Sequence, residues 1–296
     1  MQSTSEHLHG LADGSYQPER PDWTIDQGWQ RYTAEEHAVW QTLFERQRHL
    51  LPGRACDEFV RGMDDLPIGP EQIPNFEALS ETLMKRTGWR IVAVPGLVPD
   101  DVFFEHLANC RFPAGQFIRK PHELDYLQEP DVFHDVFGHV PMLMNPVMAE
   151  FIQAYGKGGL RAKEKGVLAH LARVYWYTVE FGLVQQPQGL RIYGAGIVSS
   201  ATETRFAVED VSPNRLRFDL ERVMRTRYRI DDFQETYFVL HDLAELLALA
   251  QVDFDPYYER VRAAADYLPG DVLAGDTVFS RGTGAYHLRK RQGMTA

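Results

Sequence analysis

Cysteine is nearly absent: Cys56 and Cys110 are the only two in 296 residues, and they form no CxxC pair. A disulfide framework and a thiolate metal site are thereby excluded, and a reducing, cytoplasmic compartment is expected. No stretch approaches the roughly 20 consecutive apolar residues that span a bilayer. Residues 1–21 are polar and lack the apolar core of a signal peptide, so no membrane partner is expected. Positive charge is also in deficit. Lys+Arg number 31 against 42 Asp+Glu, a net charge of -11. Such a surface repels phosphate backbones, so the expected partners are small molecules and not nucleic acid.

Hydrophobic residues make up 44% and charged residues 25%, ordinary values for a soluble globular protein. Neither repeats nor a low-complexity linker divide the chain. Residues 1–24 read as a disordered or loosely attached segment, 25–268 as one catalytic domain and 269–296 as a polar C-terminal tail.

The pattern within the domain is mainly helical with a small amount of β. Thr33-Ala34-Glu35-Glu36 is a capping box that opens a helix carrying Val39, Trp40, Leu43 and Phe44. Helices are also expected over 75–86, 99–107, 131–137, 146–155 (ended by Gly156-Lys157-Gly158-Gly159), 164–183 (the longest), 214–225 and 241–250. Strands are expected over 91–94, 192–198, 205–208 and 236–240, and 110–130 reads as loop-rich with a short strand at Gln116-Phe117-Ile118.

The chemistry concentrates in Asp131-Val132-Phe133-His134-Asp135-Val136-Phe137-Gly138-His139-Val140-Pro141. Five-residue spacing puts the second histidine well around an ideal α-helix from the first. The two can share a metal if the helix ends between them, and Gly138 with Pro141 supplies an ending. A carboxylate, Glu180, lies inside the aromatic and β-branched run Tyr175-Trp176-Tyr177-Thr178-Val179-Glu180-Phe181-Gly182-Leu183. Burying such a charge alone costs several kcal/mol, about what a metal or an arginine such as Arg173 would offset. Two imidazoles and one carboxylate suit oxygen-activating Fe(II). They equally suit catalytic zinc in a hydrolase with Asp135 as general base, or a structural metal in a binding protein.

The same residues resemble the pterin-dependent aromatic amino acid hydroxylases. That family carries His-(Asp/Glu)-x-x-Gly-His, then Tyr-Trp-x-Thr-Val-Glu-Phe-Gly-Leu, and a block matching Tyr193-Gly194-Ala195-Gly196-Ile197-Val198-Ser199-Ser200. The likeness runs from about residue 32 to 247. It implies the family's single catalytic-domain fold, with Fe(II), tetrahydrobiopterin as cosubstrate and O₂. By resemblance the iron ligands are His134, His139 and Glu180. The pterin lies over Phe103, read by Gly96, Leu97 and Val98, with Asp135, Ala172 and Tyr175 close by. The amino acid is held through Arg119, itself fixed by Asp131, with Gln128, Trp176, Ser199 and Ser200 lining its site. Asp135 stands where many animal members have Glu, which alters how the pterin is held. Ile230 stands where tyrosine hydroxylases carry Asp, so phenylalanine is the favoured substrate, with tryptophan and tyrosine as alternatives. The chain looks like the catalytic domain alone, and a monomer is expected.

Overall fold

The computed structural model describes residues 18–125, 127 and 129–293. Gln128 and residues 1–17 therefore lie outside the described residues, as do 294–296. Helix dominates, and local sequence explains most of the boundaries. Thr33 Oγ1 accepts from Glu36 N while Glu36 Oε2 accepts from Thr33 N, so the capping box opens helix Ala34–Leu50. Asn75 Oδ1 accepts from Glu77 N and Ala78 N to cap helix Phe76–Arg86. Gly88 ends that run with φ +77, a conformation that costs glycine little.

Strand β1 (Arg90–Val94) pairs in parallel with β2 (Arg111–Gly115), and helix Asp100–Ala108 is their crossover. The second sheet contains β3 (Leu183–Gln186), β4 (Gly189–Ile192), β5 (Asn214–Arg217), β6 (Thr236–Leu240) and β7 (Val278–Ser280), in the order β4-β3-β6-β5-β7. Its central strand β6 is wholly buried, as its unbroken Tyr-Phe-Val-Leu run requires.

The core surrounds one helical segment. Phe133 and Phe137 stack at 4.7 Å and meet Trp40 at 5.3 Å, Phe44 at 5.6 Å and Phe59 at 6.0 Å. Each fully buried aromatic is worth about 1.5–3 kcal/mol, so this cluster fixes the segment firmly.

Several expectations are corrected. Helix Pro146–Glu164 runs straight through Gly156 and Gly159 and is the longest. Those glycines serve close packing: a Cβ on Gly156 would lie 2.4 Å from Ala108 N, and one on Gly159 would lie 2.1 Å from the Phe104 ring. Residues 205–208 belong to helix Ala201–Glu209, and 214–225 divides into β5 and helix Leu220–Met224. The strand at 192–198 ends at Ile192 and gives way to a helical turn, Ala195–Val198. The strand before Arg119 is 111–115, not 116–118.

Residues 269–293 contain regular structure. They carry β7, which pairs antiparallel with β5, and helix Ala285–Arg291. At the other end, residues 22–25 are tied down: Ile25 N donates to Ala93 O, and His106 Nε2 bonds Asp22 O at 2.8 Å. Among the described residues no helix is long and apolar enough to cross a membrane.

Candidate active site

The two histidines sit on a π-helix, Phe133–His139, that continues into a short α-helical turn, Val140–Leu143. No stop falls between them, contrary to the expectation from Gly138 and Pro141. In a π-helix each N–H bonds the carbonyl five residues back, so residues five apart lie on one face. His134 and His139 therefore converge, and their Nε2 atoms are 3.3 Å apart. Pro141 falls in the first turn of the following helix, where a missing N–H is tolerated. Gly138 lets the segment approach the 195–198 turn: a Cβ there would meet Ala195 O at 3.0 Å.

Glu180 closes a second π-helix, Trp176–Glu180, in which Phe181 N bonds Trp176 O. The Thr178 hydroxyl donates to Val174 O and competes for a carbonyl that an α-helix would use. The carboxylate lies 3.2 Å from His139 Nε2 and 3.5 Å from His134 Nε2. Gly194 allows this arrangement, since a Cβ on it would sit 2.4 Å from Glu180 O. Burial raises the affinity of Glu180 for a proton, but His139, His134 and the Gly196 N–H outweigh it, so the group stays ionised.

The tautomer of His134 follows from its partner. Ser199 Oγ donates to Ala195 O at 2.7 Å, so it accepts from His134 Nδ1 at 3.0 Å. Nδ1 then carries the hydrogen and Nε2 presents its lone pair to the triad. Burial, reinforced by His139, pushes the His134 pKa down to about 4 despite Glu180 and Asp131, so the ring is neutral near pH 7. His139 is held by its ring packing, with Phe112 at 4.9 Å and Tyr175 at 6.3 Å.

Two imidazole Nε2 atoms and a carboxylate converge within 3.2–3.5 Å of one another. Metal–ligand bonds of about 2.0–2.2 Å to N and O donors give donor separations of that order, so the three fit a single ion. Asp135 also comes near, its carboxylate lying within 4.8 Å of the donor atoms of both histidines. That carboxylate instead accepts from Gly115 N at 2.7 Å, and burial lifts its pKa to about 7. Glu180 is the better ligand on both counts.

The triad opens on a cleft of about 610 Å³, lined by Arg119, His134, Trp176, Glu180, Ser199 and Ser200 among others. Asp131, fully buried, accepts Arg119 Nε, Nη2 and N at 2.9 Å each and His134 N at 3.1 Å. Burial opposes ionisation of Asp131, but the Arg119 contacts win and hold its pKa below the usual range. Trp176 stacks on Tyr228 at 4.2 Å and donates to Gln234 Oε1 at 3.0 Å. Ser200 caps helix Ala201–Glu209 by accepting from Glu203 N.

Leu97 reaches the same cleft, while Gly96 is buried beside it. Phe103 is half-buried, edge-on to Tyr175 at 6.0 Å, and Tyr175 in turn packs on His139. Ala172 lies on helix Leu168–Tyr175, one turn before Tyr175. Sequence reasoning missed Gln234, Tyr228, Glu203, Tyr286 and Lys290 around the cleft. Only Gly196 carried a signal, within the Tyr193–Ser200 block.

The chain belongs to the family described as biopterin-dependent aromatic amino acid hydroxylase, whose model matches residues 28–260. It is therefore a pterin-dependent hydroxylase. Among its relatives, the phenylalanine-4-hydroxylase of Caulobacter vibrioides is 63% identical over 277 residues, 94% of each chain. That of Ralstonia nicotianae is 59% identical over 264 residues, 89% of this chain and 84% of the relative. The structure of Chromobacterium violaceum phenylalanine hydroxylase with iron and phenylalanine bound superposes with a TM-score of 0.86 at 52% identity, covering 92% of this chain and 99% of the other.

Proposed function

We propose that this enzyme is a phenylalanine 4-monooxygenase, converting L-phenylalanine to L-tyrosine with O₂ and a tetrahydropterin at one non-haem Fe(II). The observation that carries the reading is the convergence of His134, His139 and Glu180, of which His134 and Glu180 line a cleft together with Arg119. Two imidazoles and one carboxylate leave open positions on Fe(II), which supplies the oxygen-activating chemistry when bound.

The chain's own residues do the rest. Arg119, locked by Asp131, offers a planar guanidinium edge to the substrate carboxylate. Trp176 borders the substrate ring, and Ser199 keeps His134 in the tautomer that coordinates. Residues 96–98, Phe103, Ala172, Tyr175 and Asp135 frame the pterin, whose flat ring suits a stack on Phe103. Closing the cleft around both organic molecules excludes water from the reacting centre. Ser200 and Gln128 belong to the amino-acid side of the site in this reading. Residues 25–268 are its catalytic body, working as a cytoplasmic monomer.

A hydrolase with Asp135 as base is disfavoured, because that carboxylate is only partly exposed and is engaged by Gly115 N. A purely structural metal would be enclosed, whereas His134 and Glu180 face the cleft. The test is a substrate panel: Fe(II)-loaded enzyme, tetrahydrobiopterin and phenylalanine, tryptophan or tyrosine, with products identified. Preferential formation of tyrosine from phenylalanine is expected. A faster reaction with tryptophan, or turnover only of tyrosine, would overturn the substrate assignment.

A further inference from the structure

The stretch that matches the family ends at residue 260, yet the chain beyond it closes one side of the cleft. Strand β7 adds to β5, and three bonds then fix the connection. Gly282 N donates to Asn214 Oδ1, Thr283 N to Val211 O and Gly284 N to Ser212 O. They deliver helix Ala285–Arg291 to the cleft, where Tyr286 and Lys290 both line it. Four residues apart, these two share a helix face. Both grip one residue: Tyr286 Oη donates to Asp232 Oδ1 at 3.0 Å, and Lys290 Nζ lies 2.9 Å from Asp232 Oδ2.

Asp232 belongs to a stretch without helix or strand, between Ile230 and Phe233, and both of these also line the cleft. The Phe233 ring stacks on Phe206 at 4.4 Å and meets Tyr286 at 5.1 Å. The ends of the stretch are held separately, by Arg229 to Glu235 and by Gln234 to Arg229 O. Its tip is held by the C-terminal helix.

We propose that Tyr286 and Lys290 are positioning residues which, through Asp232, hold the 230–233 segment as a wall of the amino-acid site and so set the fit of the substrate. This rests on the reading of the cleft as the phenylalanine site. Neither residue acts on the reacting atoms, so the expected signature is a KM effect without a kcat effect.

The experiment compares steady-state kinetics of the full-length, iron-loaded wild type with Lys290→Met, Tyr286→Phe, the double variant and Lys290→Arg. The double variant should raise the phenylalanine KM roughly fivefold, since a half-exposed ion pair and one hydroxyl bond bias a segment only modestly. Iron content, pterin KM and kcat should stay at wild-type values, and Lys290→Arg should retain the wild-type KM. Adding Lys290→Met or Tyr286→Phe to Asp232→Ala, which leaves neither partner an acceptor, should change nothing further. An unchanged KM in the double variant, or an equal rise in the Asp232→Ala background, overturns the proposal. So does a loss of kcat together with iron. A wild type that makes no tyrosine defeats the functional reading instead, and the two failures are thereby told apart.

Discussion

Ser199 Oγ accepts the Nδ1 hydrogen of His134 at 3.0 Å while giving its own hydrogen to Ala195 O at 2.7 Å. One hydroxyl thus chooses the tautomer of a proposed iron ligand. Groups that orient metal-bound histidines typically contribute about 10–100-fold to metal affinity. Ser199→Ala should lower Fe(II) affinity by that order while the far-UV spectrum stays unchanged. Titration with Fe(II) under anaerobic conditions checks it, and an unaltered affinity would show that His134 is held by its packing alone.

Arg119 and Asp131 form a buried bidentate pair, with side-chain exposures of 10% and 0%. Arg119→Lys keeps the charge but loses the planar fork, so the phenylalanine KM should rise strongly while iron content and pterin affinity stay near normal. Asp131→Asn has a wider effect, because Asp131 also accepts His134 N. It should raise the KM and also destabilise the fold by about 3–5 kcal/mol, as breaking a buried pair does. Kinetics with phenylalanine varied and denaturant unfolding measure the two effects; a normal KM in Arg119→Lys would place the carboxylate elsewhere.

Phe103 is half-buried and packs edge-on to Tyr175 at 6.0 Å. Phe103→Ala should weaken tetrahydropterin binding by roughly 0.5–1.5 kcal/mol for the aromatic contact, and more for lost burial. Its effect on the amino-acid KM should be much smaller. Calorimetric titration with the pterin decides this, and an unchanged affinity would mean the pterin stacks on another ring.

Glu203 is buried against the Tyr237 hydroxyl, and desolvation raises its pKa from 4.5 to about 7. Its folded state therefore holds the proton more tightly than the unfolded chain does. The associated stability is fully present below about pH 4.5 and is lost as pH rises through about 7. Glu203→Gln keeps an acceptor for Tyr237 but does not titrate. Its stability should fall less than that of the wild type between about pH 5 and pH 8. Thermal melts across that range test it; parallel curves would show that Glu203 titrates normally.

Much of this was legible in the sequence because it rests on local rules. The Thr33–Glu36 capping box, the helix over 75–86 and strand β6 depend on neighbours a few residues away. The motifs around His134 and Glu180 marked residues that the fold brings within 3.5 Å. What failed was the meaning of glycine. Gly138 and Gly156 read as helix stops, but their lack of a side chain admits Ala195 and Ala108 from elsewhere in the chain. Both π-helices were missed for a related reason: a five-residue hydrogen-bond ladder has no composition of its own. Tyr286 and Lys290 reach the cleft only because β7 docks on β5, a long-range pairing that no local pattern announces.

The most direct test concerns the triad itself. Wild type and the His134→Ala, His139→Ala and Glu180→Ala variants are loaded with Fe(II) and assayed for bound iron and for tyrosine formed per O₂ consumed with phenylalanine and tetrahydrobiopterin. The expected result is about one iron and one tyrosine per O₂ in the wild type. Each variant should lose nearly all iron and tyrosine formation while remaining folded. Full iron and undiminished tyrosine formation in any one of the three would contradict the assignment of that residue as a ligand.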